Sequence, residues 1–182
     1  MATIAPPGEI GSIAPEFRLP GTDGRAHALA DLRGPNGTLV AFICNHCPYV
    51  KAIRERLVRD ARDLQALGVG VVAISSNDAV VYPEDSFENM RRIAMEWQLP
   101  FPYLYDESQH VARAYGAVCT PDFFGYDARG ALRYRGRLDS SGKEARPDAV
   151  RELYDAMRAI ATGAAAPAEQ NPSIGCSIKW KR

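Results

Sequence analysis

The feature that most constrains this chain is a change of hydrophobic period across Cys44-Asn45-His46-Cys47-Pro48. Before it lies Thr38 to Ile43 (TLVAFI), an apolar run with no helical period whose length suits a fully buried central strand. After it, Val50, Ile53, Leu57, Ala61, Leu64 and Leu67 recur on one helical face, with Arg54, Glu55, Arg59, Asp60, Arg62 and Asp63 on the other, and Gly68 ends the helix. A Cys-x-x-Cys-Pro is therefore placed where a buried strand turns into a helix. The positive end of a helix dipole stabilises a thiolate, which is the reactive form of cysteine, and two thiols at this spacing can close on each other.

Proline breaks the symmetry of the motif. Pro suits the first helical position, and the residue before it is pushed out of the α region. Both rules put Cys47 at the N-cap and make it the thiol at the dipole end, with free first-turn N–H groups ahead of it. Cys44 lies just upstream, at the end of the strand. His46 is either a surface turn residue or, if protonated, a further stabiliser of the thiolate.

The rest of the chain continues the alternation. Val69 to Ile74 reads as a second buried strand and Ser75 to Asp85, polar with Pro83 inside, as a long loop. A helix is expected over Ser86 to Trp97, a strand over Phe101 to Tyr105 and a short helix over Ser108 to Tyr115. Phe123 to Tyr126 and Ala131 to Arg137 flank the Asp127-Ala128-Arg129-Gly130 turn as a hairpin, on which Arg133, Arg135 and Arg137 are expected to be solvated. The last helix is expected over Asp148 to Ala161, with Val150, Leu153, Tyr154, Met157 and Ile160 inward. Upstream, two short extended pieces flank Gly21-Thr22-Asp23-Gly24. The order implies an α/β fold with a parallel core, helices on both faces and an antiparallel addition from the hairpin. Residues 1–161 read as one domain; residues 162–182 read as an Ala/Pro/Gly-rich linker and a short tail carrying Cys176.

Composition narrows the function. Lys plus Arg balance Asp plus Glu at 22 each, so there is no basic field for nucleic acid. No apolar run approaches a membrane span, and MATIAPPGEI at the start lacks the look of a secretory signal. The expectation is a cytoplasmic protein without nucleic-acid or membrane partners. Four cysteines in 182 residues are too few for a disulfide scaffold, so the Cys-x-x-Cys is read as redox-active or metal-binding. A metal held by Cys44, His46 and Cys47 lacks a second cluster to complete four ligands, only His27 and His110 remaining, and neither a metal nor a cofactor is expected. Cys119, before Thr120-Pro121, reads as a bland loop cysteine, the alternative being a resolving or accessory thiol of the site. Cys176 is either a spare solvated thiol or, on a free tail, a second resolving thiol for Cys47.

From about Ile13 to Ile160 the chain resembles the thioredoxin superfamily, in particular the branch of alkyl hydroperoxide reductases and peroxiredoxin-like proteins. The resemblance is carried by Ala14-Pro15-Glu16-Phe17-Arg18-Leu19 with Gly24, by Cys47 five residues after Phe42, and by Thr120-Pro121 ahead of FFGYDARGALRYRG. It implies a three-layer α/β/α fold around a central mixed sheet, with Cys47 as nucleophile and Thr120-Pro121 as a cis-proline dipeptide that positions substrate. The chain departs from the pattern in two places. The second thioredoxin cysteine position, three residues after Cys47, is Val50, so Cys44 is an upstream partner. The peroxiredoxin Pro and Thr positions hold Val40 and Cys44, which weighs against efficient peroxide reduction. Three functions stay in view. In the first, Cys47 exchanges with a protein or low-molecular-weight disulfide and Cys44 resolves, an external thiol serving as reductant. In the second, Cys47 reduces a hydroperoxide and its sulfenic acid condenses with Cys44 or Cys176. The third is a metal- or partner-binding module on the same fold.

Overall fold

A computed structural model describes residues 2–182. The chain runs β1 (Ala2–Ile4), β2 (Arg18–Pro20), β3 (Ala26–Ala28), α1 (Leu29–Leu32), β4 (Gly37–Phe42), α2 (Pro48–Ala66), β5 (Val69–Ser75), a 3-10 turn (Pro83–Asp85), α3 (Phe87–Glu96), β6 (Tyr103–Tyr105), α4 (His110–Tyr115), β7 (Cys119–Thr120), β8 (Asp122–Tyr126), β9 (Leu132–Gly136), α5 (Glu152–Ala161) and β10 (Ile174–Ser177).

The central sheet has the order β6-β5-β4-β8-β9. β4 pairs with β5, and β5 with β6, in parallel; β8 and β9 join antiparallel. Successive residues of β4 point to opposite faces and feed two separate cores. Leu39, Ala41 and Ile43 pack with α2, α5 and Met90 of α3, while Val40 and Phe42 pack with Leu29 of α1, Ala112 and Tyr115 of α4, and Phe17. A strand buried on both faces has no polar side to show, which is why TLVAFI does not alternate. The result is the expected three-layer α/β/α arrangement around a mixed sheet, a thioredoxin-like fold.

Several boundaries differ from the sequence reading. The last helix starts at Glu152, and Val150 is 56% exposed rather than inward. The cause is local: Val150 pairs with Ser140, its carbonyl accepting from the Ser140 N–H at 3.1 Å and its own N–H donating to Ser140 Oγ at 2.9 Å. The segment is thereby held in a loop pairing rather than a first helical turn. Gln109 adopts φ +64, so α4 begins at His110 instead of Ser108. Arg135 is not solvated: it is buried and bonded to the buried carboxylate of Asp122 at 2.9 Å, whereas Arg133 reaches the exposed side of the Asp127 turn.

The largest correction concerns the tail. Residues 174–177 form a strand between β1 and β7 in a second, three-stranded sheet, so Cys176 is fixed in the fold and not on a free end.

Candidate active site

The site forms at the C-terminal end of β4, where open α/β sheets gather their functional loops. Strand pairing carries one residue past β4, with the Ile43 N–H donating to Ile74 O at 3.0 Å. The chain then turns through Cys44-Asn45-His46. Cys47 is the N-cap of α2 in extended conformation (φ −63, ψ 122) and Pro48 is the first helical residue, as the proline argument requires.

Both thiols meet Thr120. The Cys47 thiol donates to the Thr120 carbonyl at 3.1 Å, and Cys44 Sγ lies 3.3 Å from the Thr120 hydroxyl. The Thr120-Pro121 peptide is cis. Cys44 and Cys47 are fully buried, and Cys176, directly opposite Thr120 in the β7–β10 register, packs against the same core and is partly open to solvent.

The four cysteines differ in acidity. The Cys44 thiol, turned to the Cys47 sulfur, is the main influence that brings the Cys47 pKa down to about 4, against the opposing pull of burial. The Val50 N–H of the first helical turn and Cys176 act in the same direction as Cys44. The Val50 N–H favours the thiolate without making a full capping bond. The Thr120 carbonyl favours the protonated form, because it can only accept. Cys44 moves the other way, well above its ordinary value, through the same bond to Cys47, through burial and through the charge of Asp85. Cys176 is pushed up to about 11 by burial and by its bond to Cys47. Cys119 is fully buried, points at Pro121 O at 3.7 Å and is pushed up to about 12, chiefly by burial. It is a small core residue, in strand β7 rather than in the loop expected from the sequence.

Sequence reasoning missed the residue that shapes the loop. Asp85, from the 3-10 turn, is fully buried. Its Oδ1 accepts from the backbone N–H groups of Asn45 (2.9 Å) and His46 (3.2 Å), and its Oδ2 meets Nδ1 of His46 and accepts from Asn77 Nδ2 (2.7 Å). Asn45 is held in turn by the Tyr103 hydroxyl at 2.9 Å and by Glu84 O at 3.0 Å. The His46 ring stacks on Tyr82 at 5.7 Å. A polar loop with one Pro carried no mark of this. The available signal was its place, directly after the C-terminal end of a parallel strand.

Among the described residues, Cys44, His46 and Asp85 bring potential metal ligands within 4.8 Å of one another, with Asp85 where the sequence reading had Cys47. Each Asp85 oxygen already has two hydrogen-bond partners, so the carboxylate has no lone pair left to give a cation. The arrangement is a pair of buried thiols, one acidic and its neighbour held protonated.

Comparison with known proteins agrees. The AhpC/TSA family model matches residues 10–135. Peroxiredoxin Bcp of Escherichia coli K12 is 31% identical over 138 residues, 75% of this chain and 83% of that protein. Thiol-disulfide oxidoreductase ResA of Geobacillus thermodenitrificans is 28% identical over 131 residues, 68% of this chain and 67% of that one. The crystal structure of an uncharacterized conserved protein from Geobacillus kaustophilus, 47% identical, superposes over 100% of this chain and 97% of its own with a TM-score of 0.95. With a family model over most of its length and an acidic cysteine where the motif places it, the chain belongs to the AhpC/TSA family and is a thiol-dependent oxidoreductase.

Proposed function

We propose that Cys47 is the attacking thiol and Cys44 the resolving thiol of a disulfide-exchange cycle. The Cys47 thiolate attacks one sulfur of a substrate disulfide RSSR, forming Cys47–S–S–R and expelling RS⁻. Cys44 then loses its proton and attacks the Cys47 sulfur, so that Cys44–S–S–Cys47 forms and the second RS⁻ leaves. Two electrons pass to the substrate, and an external thiol reductant returns them. Thr120 positions both sulfurs, with His46 and Asp85 fixing the loop between them.

The observation that carries this reading is the meeting of two buried thiols at Thr120, with Cys47 at the helix N-cap and Cys44 just upstream. A pKa near 4 keeps Cys47 ionised and makes it a good leaving group, and the raised Cys44 keeps its proton until the mixed disulfide has formed. A hydroperoxide as the oxidant is the second reading, favoured by the same acidic Cys47 and by the likeness to a peroxiredoxin. In that case Cys47 takes the terminal oxygen, water or an alcohol leaves, and Cys44 condenses with the sulfenic acid and releases water. Against it stands the Thr120 hydroxyl, which meets Cys44, while Cys47 meets the Thr120 carbonyl.

The test is trapping by mass spectrometry. With oxidised glutathione, Cys44→Ser accumulates a mixed disulfide on Cys47 while the wild type passes to the Cys44–Cys47 bond. A mixed disulfide on Cys44 in Cys47→Ser, formed at the wild-type rate, would reverse the two roles.

A further inference from the structure

The strand beside the nucleophile is occupied by the chain itself. β10 is paired along both edges, Cys176 and Gly175 lying opposite Ala2 and Thr3 on one side and Cys176 and Ser177 opposite Thr120 and Cys119 on the other. It is pinned beyond both ends. Ser173 Oγ donates to Gly136 O at 2.7 Å, and the Ala5 N–H donates to Ser173 O at 2.9 Å. On the far side the Ile178 N–H donates to Val118 O at 3.0 Å and the Lys179 N–H to Asn77 Oδ1 at 2.8 Å, while Lys179 O accepts from Gln109 Nε2 at 2.7 Å. The approach is close enough to demand glycine: a Cβ on Gly175 would lie 1.9 Å from Thr120 O.

An extended polypeptide docks on a sheet by adding a strand to a free edge, main-chain bonds giving the affinity. Near Cys47 that edge is the backbone of Thr120, whose carbonyl accepts the Cys47 thiol, and it already carries a strand with a cysteine directly opposite. We propose that β10 is a resident polypeptide ligand of the active site, which closes the site to polypeptide disulfides and restricts its external substrates to low-molecular-weight disulfides and hydroperoxides. The proposal rests on the assignment of Cys47 as the attacking thiol.

Size separates the two kinds of substrate. A small reagent makes no demand on the main-chain bonds of β10, and Cys176, the neighbour of Cys47, is partly open to solvent. Such a reagent also has a cleft of about 200 Å³ at hand, lined by Tyr49, Ile53, Pro121, Phe123, Lys143 and Ile174, between the cis-proline and β10. A polypeptide must strip β10 from β1 and β7 together.

The experiment compares second-order oxidation rates of the reduced full chain by oxidised glutathione and by insulin disulfides. The wild type is expected to favour glutathione by at least ~100-fold, and Gly175→Val, which cannot seat β10, to narrow that ratio at least ~10-fold. Hydrogen exchange on the wild type is expected to keep the amides of residues 174–177 protected during turnover with glutathione. Comparable wild-type rates with both substrates, or loss of that protection during glutathione turnover, would overturn the proposal whether or not Gly175→Val folds. Wild-type glutathione activity in Cys47→Ser would instead defeat the assignment of the attacking thiol, a separate outcome.

Discussion

Asp85 grips His46 at two points, its Oδ1 accepting the His46 backbone N–H at 3.2 Å and its Oδ2 meeting the imidazole Nδ1. A carboxylate from one loop thereby sets both the path of the Cys44–Cys47 turn and the orientation of the imidazole beside the thiols. Asp85→Asn keeps one oxygen for the Asn45 and His46 N–H groups but sets an NH2 donor against the Asn77 Nδ2 donor. We expect a loss of about 2 kcal/mol, since a buried donor left without a partner costs about 1–3 kcal/mol. For a chain of this size that is a fall in Tm of about 4–8 °C. The same change removes a charge that raises Cys44, so the Cys44 thiol titrates lower. Thermal unfolding and thiol titration of the variant measure the two effects, and an unchanged Tm would show that Asp85 does not hold the loop.

The Cys44 and Cys47 thiols separate in pH. Alkylation of Cys47 is expected to reach half its plateau near pH 4 and to be flat through neutrality, because its thiolate is stabilised chiefly by the Cys44 thiol. Cys44 stays unreactive until strongly alkaline pH. Site-resolved iodoacetamide kinetics in the reduced protein give both curves. A Cys47 midpoint near the ordinary 9.0 would remove the basis of the assignment.

Stability follows the same shifts with a definite sign. The folded state holds Cys47 ionised below the point at which the unfolded chain would, so between about pH 4 and 9 the unfolded state binds the extra proton. The Cys47 contribution therefore grows as pH rises through that window, is complete above it and is lost as pH falls towards 4. Cys44 is raised, so its contribution is present below about pH 9 and declines above it. The stability difference between reduced wild type and Cys47→Ser should widen from pH 5 to pH 8 in urea titrations. A difference that is constant with pH contradicts the ionised Cys47.

Thr120→Val isolates one of the two bonds that Thr120 makes. The carbonyl contact with Cys47 survives, and the hydroxyl 3.3 Å from Cys44 Sγ is lost. That hydroxyl lowers the Cys44 pKa, so its removal pushes Cys44 higher still. A net hydrogen bond of about 1 kcal/mol corresponds to roughly fivefold, the slowing expected for the resolving step with initial attack by Cys47 unchanged. Stopped-flow kinetics of the mixed disulfide separate the steps, and slowing of the first step alone would contradict the pairing.

Arg135 and Asp122 test a buried ion pair. Arg135→Met leaves Asp122 buried without its cation and is expected to cost about 3 kcal/mol, with the double variant Arg135→Met, Asp122→Asn costing less. Urea unfolding of the single and double variants decides. Equal losses would mean that the pair acts by packing alone.

The sequence carried the junction in full. TLVAFI, the Cys-x-x-Cys-Pro and the helical stripe from Val50 are each local, and the backbone preferences around Pro48 fix which thiol caps the helix. What escaped were contacts made across distance. Asp85 lies forty residues from Asn45 in a loop with no period to read. Arg135 sits on a hairpin whose turn residues were legible, yet its burial depends on Asp122 in the neighbouring strand. β10 follows an Ala/Pro-rich stretch and owes its form to partners at Ala2–Ile4 and Cys119–Thr120, so strand propensity alone could not place it.

The position of β10 in the chain also has a meaning in time. Cys176 follows Cys47 by 129 residues. At a synthesis rate of ~5–20 residues per second, the Cys44–Cys47 pair precedes its covering strand by roughly 6–26 s. During translation the pair therefore exists for many seconds as a dithiol without the strand that lies beside it in the completed molecule.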